Sequence, residues 1–280
     1  MPVRARQTEI KKPEITMNIA RNLVCAGLVV LMFFAETAVC LGKESVFTSN
    51  DDKREFFREV SELIEKEWMD WQDQLDINNV EVNGGRGVLS PGGMGGPVLN
   101  AGTMLKDIKT KNISSGKKEC LEVVAEAVAD CMRGWQRGYR NDNIPFPEGS
   151  SSSFSLTPCN NVPVTVSSGS SSGERNITED ALYDYMLYRS PGSDESVFPF
   201  FQAVAKAFYW TFQEWKDQCF LEGITAFGGV APAPAPMGIG PGPVRGAKGS
   251  GGKVSGAYFN GQKMYEEMVS SLDTPETSQQ

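Results

Sequence analysis

Apolar residues recur at helical spacing in two stretches of the chain, each beginning with a pair of phenylalanines. An apolar side chain occurs every three or four residues over several turns, and mostly polar or charged residues fill the positions between. The apolar positions are Phe57, Val60, Ile64, Trp68 and Trp71 in the first stretch and Phe201, Val204, Phe208, Phe212 and Trp215 in the second. Such a stripe predicts an amphipathic helix that buries one face.

The two stretches form an internal repeat. Residues 56–85 align without gaps with residues 200–229, and eight of the thirty positions are identical, where chance gives about two. The identical pairs are Phe56/Phe200, Phe57/Phe201, Val60/Val204, Trp71/Trp215, Asp73/Asp217, Gln74/Gln218, Gly84/Gly228 and Gly85/Gly229. Residues 120–135 resemble a weaker third copy, because Val124 and Trp135 keep the same spacing. We predict two repeated helices, and the spacing suggests a third.

A short β-leaning stretch follows each clear helix, at residues 79–83 and 223–227. Segments rich in glycine and proline come next: residues 84–96 hold seven glycines, and residues 228–256 hold ten glycines and five prolines. Proline has no N–H to donate and is excluded from helix interiors and central strands. We expect these segments to be extended, exposed arms that act as binding arms or linkers.

Two more helices and one strand are indicated in the rest of the chain. Thr178 is suited to cap the first helix, and residues 162–166 form a strand candidate. The apolar positions are Leu182, Tyr185 and Met186 in the helix after Thr178 and Met264, Tyr265, Met268 and Leu272 in a C-terminal helix. The predicted fold class is mainly α, with two or three repeated amphipathic helices, short β stretches and long Gly/Pro-rich extended segments.

The predicted organisation has five parts along the 280 residues. They are an apolar N-terminal segment at 1–42, a first repeat unit at 43–110, a middle unit with a Ser-rich irregular span at 111–180, a second repeat unit with its Gly/Pro-rich arm at 181–256, and a C-terminal helix and tail at 257–280.

Composition excludes several kinds of chemistry. The net charge is −8, with 27 basic and 35 acidic residues and no basic tract, so nucleic acid is not expected as a direct partner. Histidine is absent, which excludes Ser-His-Asp and Cys-His catalysis and histidine-ligated metal sites. We expect a protein that is not an enzyme, with no cofactor, no metal and no small-molecule substrate.

Short motifs do not change this expectation. In GIGPGP, at residues 238–243, two prolines supply no amide to a phosphate group, and no strand-turn-helix pattern surrounds the sequence. Gly252 and Lys253 are followed by Val254 instead of the hydroxyl residue of a phosphate-binding loop. Ser114 and Lys117 fit the S-x-x-K pattern, but no companion motif follows. A loop before a helix explains that pattern better.

The N-terminal segment leaves the location of the protein open. Thirteen apolar residues at 23–35 follow several basic residues, which resembles a secretory signal with a cleavage site after Cys40. The alternatives are an uncleaved anchor, with membrane contact through residues 23–41, and a buried helix.

Four cysteines lie beyond that segment and offer possible disulfides, namely Cys120, Cys131, Cys159 and Cys219. Cys120 and Cys131 lie about 16 Å apart on one predicted helix, too far for a bridge. Cys120 would pair with Cys159 and Cys131 with Cys219, or Cys120 with Cys219 and Cys131 with Cys159. Buried thiols without any bridge are the other reading.

The second copy has more aromatic residues than one buried face of a helix requires. Trp210 aligns with Lys66 and so adds an aromatic where the first copy has a charge. Such a cluster forms either a core or a subunit interface, where tryptophan is enriched. The interface candidates are Trp68, Trp71, Phe208, Trp210, Phe212 and Trp215.

Four features of the repeat belong together: the Phe-Phe-x-x-Val pattern, Trp215, the Gly228-Gly229 pair and GPGPVRGAKGSGGKVSG at 240–256. In this combination the repeat resembles a unit of structural proteins in tailed-phage virions. In that unit, a helix precedes a segment of glycine, proline and small residues. The resemblance covers the two clear copies, under half of the chain. It implies a non-enzymatic assembly protein of a phage tail or particle, whose arms contact a homo-oligomer or other assembly subunits. The competing hypothesis is an exported protein, periplasmic or extracellular, with disulfides and a binding role.

Overall fold

Six helices are present in the part of the chain that the computed structural model describes, residues 45–83, 85–106, 113–146, 159–190, 195–227 and 246–273. They are α1 (Asn50–Asp73), α2 (Ala101–Met104), α3 (Ser115–Gly138), α4 (Glu179–Arg189), α5 (Phe198–Gln218) and α6 (Gly261–Asp273). The apolar N-terminal segment predicted at 1–42 lies outside these residues.

Twelve strands occur in the same described ranges, most of them two to four residues long. They are β1 (Asp76–Ile77), β2 (Val80–Asn83), β3 (Arg86–Leu89), β4 (Met94–Gly95), β5 (Tyr139–Pro145), β6 (Cys159–Asn160), β7 (Val164–Thr165), β8 (Ser170–Ser171), β9 (Cys219–Glu222), β10 (Thr225–Phe227), β11 (Ala247–Ser250) and β12 (Lys253–Gly256).

The predicted helices are confirmed, together with the predicted cap at Thr178. The Thr178 hydroxyl accepts a hydrogen bond from the Ala181 N–H at the start of α4, and Pro199 occupies the first turn of α5. In α1 and α5 the predicted apolar stripes are buried. The β-leaning stretches after these helices are strands β2 and β10. Only Val164 and Thr165 of the strand candidate at 162–166 are in β7, because a 3-10 turn begins at Val166.

The element order repeats three times. Each unit has a long helix, several short strands and a shorter helix, in residues 50–104, 115–189 and 198–273. The suspected third copy is therefore the middle unit. The structure places α4 with this middle unit and α6 with the last one, whereas the division expected from sequence ends the middle unit at 180 and separates 257–280. Residues from Val46 onward belong to one structural unit, so the three copies are not independent domains.

The helices form a closed ring around the core. Helix α2 packs against α1 and α3, α4 against α3 and α5, and α6 against α5 and α1. Each short helix thus fills the space between two long ones, and α6 near the end of the chain contacts the first helix. This arrangement is an approximate threefold repeat.

Strand pairing follows the same threefold pattern. Within the three units, Asp76 pairs with Gly95, Arg140 with Ser170 and Phe220 with Ser255. Between units, Ile77 pairs with Gly252, Asn141 with Leu89 and Leu221 with Val164. The copies therefore correspond in strand register as well as in element order.

The largest sheet runs through all three units in the order β6–β10–β11–β2–β3–β5–β8. Strands from the middle unit lie towards both ends of this order, and the Val162 N–H donates to the Pro145 carbonyl at 2.8 Å, so the sheet curves back on itself. Smaller sheets join β12–β9–β7 and β1–β4. The predicted mainly α fold class is wrong: the protein has a mixed α/β fold.

The prediction of Gly/Pro-rich arms is corrected in the same way. Residues 86–89 and 94–95 of the first predicted arm are strands β3 and β4, and residues 247–250 and 253–256 of the second are β11 and β12. Strands β2, β3 and β11 lie in the middle of the seven-stranded sheet. The proline-rich part of the second arm, at 228–245, lies outside the described residues. A high glycine content is therefore not a sign of an extended arm in this chain.

Close packing explains these glycines. A Cβ on Gly249 would lie 2.8 Å from the Ile224 side chain, and one on Gly87 would overlap Phe146. Glycine inside a strand often marks such a close approach. Its abundance here allows side chains to lie close to the sheet.

Candidate functional site

The aromatic cluster in the centre of the molecule contains five of the six interface candidates. Trp68, Phe208 and Phe212 have no exposed surface, and the other two are only 2% exposed. The five are Trp68, Trp71, Phe208, Phe212 and Trp215. They are core residues of this chain, in line with the alternative interpretation of the cluster, and no partner can reach them in the folded protein.

One tryptophan of each unit extends to the centre of the ring of helices. The ring centroids of Trp71 and Trp215 are 5.8 Å apart, and those of Trp135 and Trp215 are 5.7 Å apart. The Trp71 indole donates to Gln136 Oε1 at 3.0 Å, and the Trp215 indole donates to Gln72 Oε1 at 2.7 Å. A tryptophan in one unit is thus hydrogen-bonded to the residue that follows the tryptophan of another.

The third of these tryptophans, Trp135, has a different environment. Lys216 stands where the other units have Gln72 and Gln136, and its ammonium pairs with Glu174. An ammonium cannot accept a hydrogen bond. The Trp135 indole N–H consequently has no hydrogen-bond partner among the described residues.

Trp210, the sixth candidate, is on the surface. Half of it is exposed on the outer face of α5, and its ring contacts that of Tyr209 edge-on at 5.2 Å. Exposed Lys206 and half-buried Gln213 lie one turn away on either side, since residues three and four apart are neighbours on a helix. An aromatic side chain surrounded by polar ones is typical of the anchor of a protein interface.

The four cysteines that could form disulfides are free thiols in the structure, and neither predicted pairing is formed. Burial raises the pKa values of Cys120, Cys131 and Cys219 to about 12. A thiol reacts as the thiolate, so these three side chains are inert near neutral pH.

A cleft between α3 and α4 was not predicted. Its cavity volume is about 470 Å³, within the range of small-molecule sites. Asp130 is the centre of its polar network, because this carboxylate accepts hydrogen bonds from Arg133, Arg189 and Tyr185, each at 2.6 Å. Arg189 also pairs with Glu126. The cleft is therefore bordered by charged groups in fixed positions.

The network also affects Tyr185. Partial burial, followed by the hydrogen bond that its hydroxyl donates to Asp130, raises the pKa of Tyr185. The guanidinium of Arg189 lies 4.7 Å from the centre of the Tyr185 ring and donates to its hydroxyl at 2.7 Å. The tyrosine is held neutral as part of the cleft wall.

Within the residues that the structure describes, no cluster of three or more histidine, cysteine, aspartate or glutamate side chains could hold a metal ion. No described helix is both long enough and apolar enough to cross a bilayer.

Comparison with protein-family models, curated proteins and solved structures finds no match to this chain.

Proposed function

We propose that this chain is a non-enzymatic structural or assembly protein of a virus particle, such as a phage tail, and that Trp210 anchors its contact with a neighbouring subunit. The observation that supports the proposal is the half-exposed indole of Trp210 on the outer face of α5. The units of the chain fill this position with Lys66, Asp130 and Trp210, so the position does not need an aromatic for the fold.

The fold supports this role over a catalytic one through its distribution of aromatic and polar residues. The centre of the chain is occupied by packed tryptophan and phenylalanine rings, and an aromatic anchor on a rigid helix loses little side-chain entropy on binding. The arms play a smaller part than the sequence implied, because residues 86–89, 94–95, 247–250 and 253–256 pair within the chain's own sheets. The neighbouring subunit is a second copy of this chain or another particle protein.

The first test is the oligomeric state in solution. We expect the purified chain to form concentration-dependent oligomers in size-exclusion chromatography with light scattering, and Trp210→Lys to shift them to monomers, since lysine is the residue of the first unit. Phe227→Lys is the matched control, because Phe227 is an aromatic of similar exposure, 56%, on β10 instead of α5. Unchanged assembly of Trp210→Lys would remove Trp210 as the anchor.

The second test addresses the particle. Mass spectrometry of purified virus particles from the source of this sequence should detect the chain at a constant stoichiometry. Its consistent absence from particles would reject the structural role. If the chain is present in particles but Trp210→Lys does not change its assembly, only the anchor role of Trp210 is rejected.

A further inference from the structure

Helix α3 has a glycine in its interior, at the position where the other two units have acids. Gly134 of the middle unit corresponds to Asp70 in α1 and Glu214 in α5, counting from the tryptophan that the three helices share. In the last unit Glu214 forms an ion pair with Lys263 of the following short helix. In the middle unit this space is open, and it is the cleft between α3 and α4.

Packing does not require a glycine on the cleft side of Gly134. A Cβ there would have only the Asn176 amide nitrogen within 4 Å, at 3.8 Å, which is an ordinary contact. Glycine in a helix interior is destabilising relative to alanine. The glycine therefore weakens the helix while it keeps the cleft open.

A change of charge accompanies the glycine. Arg137 lines the cleft where the other units have Asp73 and Asp217, and Arg133 lines it where they have Met69 and Gln213. The acidic face of the other helices has thus become basic at this point. Among the described residues, Arg137 forms no ion pair, whereas Arg133 is held by Asp130.

We infer that the cleft between α3 and α4 binds a small organic ligand through an oxyanion, a phosphate or carboxylate group. Arg137 contacts the oxyanion directly, because its guanidinium offers several N–H donors in a planar fork and has no competing carboxylate partner among the described residues. Asn176 supplies a further amide donor, and Ala181 with the Tyr185 ring gives the organic part an apolar surface. The inference is independent of the proposed assembly role.

Inorganic phosphate and succinate are the probes, each titrated into the purified protein at constant ionic strength and followed by NMR of backbone amides. We expect saturable shifts of the backbone amides of Gly134 and Asn176, which both line the cleft, with at least one probe, and the stronger probe identifies the group. Arg137→Gln should raise the Kd about tenfold or more, as expected for the loss of a charged hydrogen bond. Arg140→Gln is the control, because Arg140 pairs with Asp142 on β5 and is not among the residues that line the cleft.

Two changes at Gly134 separate binding from folding. Gly134→Ala should raise Tm by about 1–3 °C and weaken binding by narrowing the cleft, while Gly134→Glu should abolish binding by filling it with the acid of the last unit. The site is refuted by a lack of saturable shifts with both probes, or by equal Kd values for the wild type and Arg137→Gln. Monomer formation by Trp210→Lys would leave these results unchanged.

Discussion

At the scale of single residues, the three central tryptophans, Trp71, Trp135 and Trp215, show how one residue difference distinguishes three similar positions. Gln72 and Gln136 each accept from an indole N–H and donate to a backbone carbonyl of a neighbouring unit, Ala257 at 3.3 Å and Pro97 at 3.1 Å respectively. An amide can do both because it carries an acceptor and two donors. Lys216 can only donate, and it requires the carboxylate of Glu174.

Exchanging these side chains should have unequal consequences at the two positions. Gln136→Lys would bury an ammonium without a carboxylate and remove the acceptor of the Trp71 N–H, so we expect a loss of about 2–4 kcal/mol of unfolding free energy. Lys216→Gln would give the Trp135 N–H an acceptor and leave the partly exposed Glu174 to water, so its effect should stay within about 1 kcal/mol. Urea unfolding followed by tryptophan fluorescence measures the unfolding free energy of both variants. Equal losses would show that the two positions do not differ in this way.

The contact between the starts of α1 and α3 should make the unfolding free energy change with pH in the acidic range. Burial opposes ionisation of Asp52, but the ammonium of Lys117 and the Thr48 N–H, at 3.0 Å, hold its pKa below the ordinary value of 3.8. Ionised Asp52 therefore stabilises the fold above that value, and the contribution disappears as the pH falls through the lowered pKa.

Asp52→Asn should accordingly lower the unfolding free energy by about 1 kcal/mol at pH 7 and by progressively less as the pH falls below 3.8. Asp51→Asn is the adjacent control, because the Asp51 side chain is 95% exposed and its ion pair with Arg54 is at 4.0 Å. Denaturant titrations at pH 7 and at a series of pH values below 3.8 test this, and a loss that is constant with pH would show that Asp52 acts through packing and not through its charge.

At the scale of elements, two glycines at equivalent positions fix the backbone at the end of a strand. Gly96 follows β4, and Gly256 is the last residue of β12. Gly96 has a φ of 94° and Gly256 a φ of 109°, in the region that disfavours side chains. A Cβ at Gly96 would overlap the carbonyl of Gln74, and one at Gly256 would overlap that of Gln218. The two glutamines are an identical pair of the sequence repeat, so the steric requirement is repeated as well.

We expect Gly96→Ala and Gly256→Ala each to lower the unfolding free energy by about 2–4 kcal/mol, through backbone strain and overlap together. Gly92→Ala is the matched control, since Gly92 has a φ of 82° and no atom lies within 4 Å of the position that its Cβ would occupy. Strain alone should amount to about 1 kcal/mol there. Thermal unfolding of the three variants is the measurement. Similar losses in all three would mean that the overlap with the glutamine carbonyls is relieved by small shifts.

The five longer helices could be predicted from sequence because their apolar period extends over many residues and their ends carry recognisable caps such as Thr178, whereas α2, with four residues, was not predicted. Most strands could not, because two to four residues give too little alternation, and because their pairing is between units distant in sequence; only β2, β10 and β7 fall within stretches that the sequence indicated. Gly249 illustrates the problem: in sequence it belongs to a flexible-looking segment, while in the fold it lies against Ile224 and Val80. Composition alone cannot separate these cases.

The candidate surfaces differ in the same respect. Trp210 could be found from the sequence, since the alignment of two copies pairs it with Lys66. The cleft could not be found from that pair, because Gly134 and Arg137 are unusual only when the middle unit is aligned with both others. Exposure also could not be inferred, and five predicted interface aromatics proved to be core residues.

At the scale of the whole molecule, the three units depend on one another for their burial. Phe200 of the last unit stacks on Phe57 of the first at 5.6 Å and lies 5.2 Å from Phe56. Strand β11 pairs with β2, and β3 pairs with β5. The helix α6 near the end of the chain packs against α1 near its beginning. No unit buries its own apolar face without the other two.

This interdependence predicts that residues 46–280 unfold in one cooperative step, although chains of this length often unfold through intermediates. Circular dichroism of the helices and fluorescence of the central tryptophans should give coincident transitions in urea. A fragment of residues 46–190, which lacks the last unit, should be unfolded or aggregated, because it exposes the Phe56, Phe57 and Trp68 surfaces that α5 covers. A fragment that keeps a cooperative transition with native-like Tm would show that the first two units form a stable body, and that the ring of helices is completed by docking instead of by folding together.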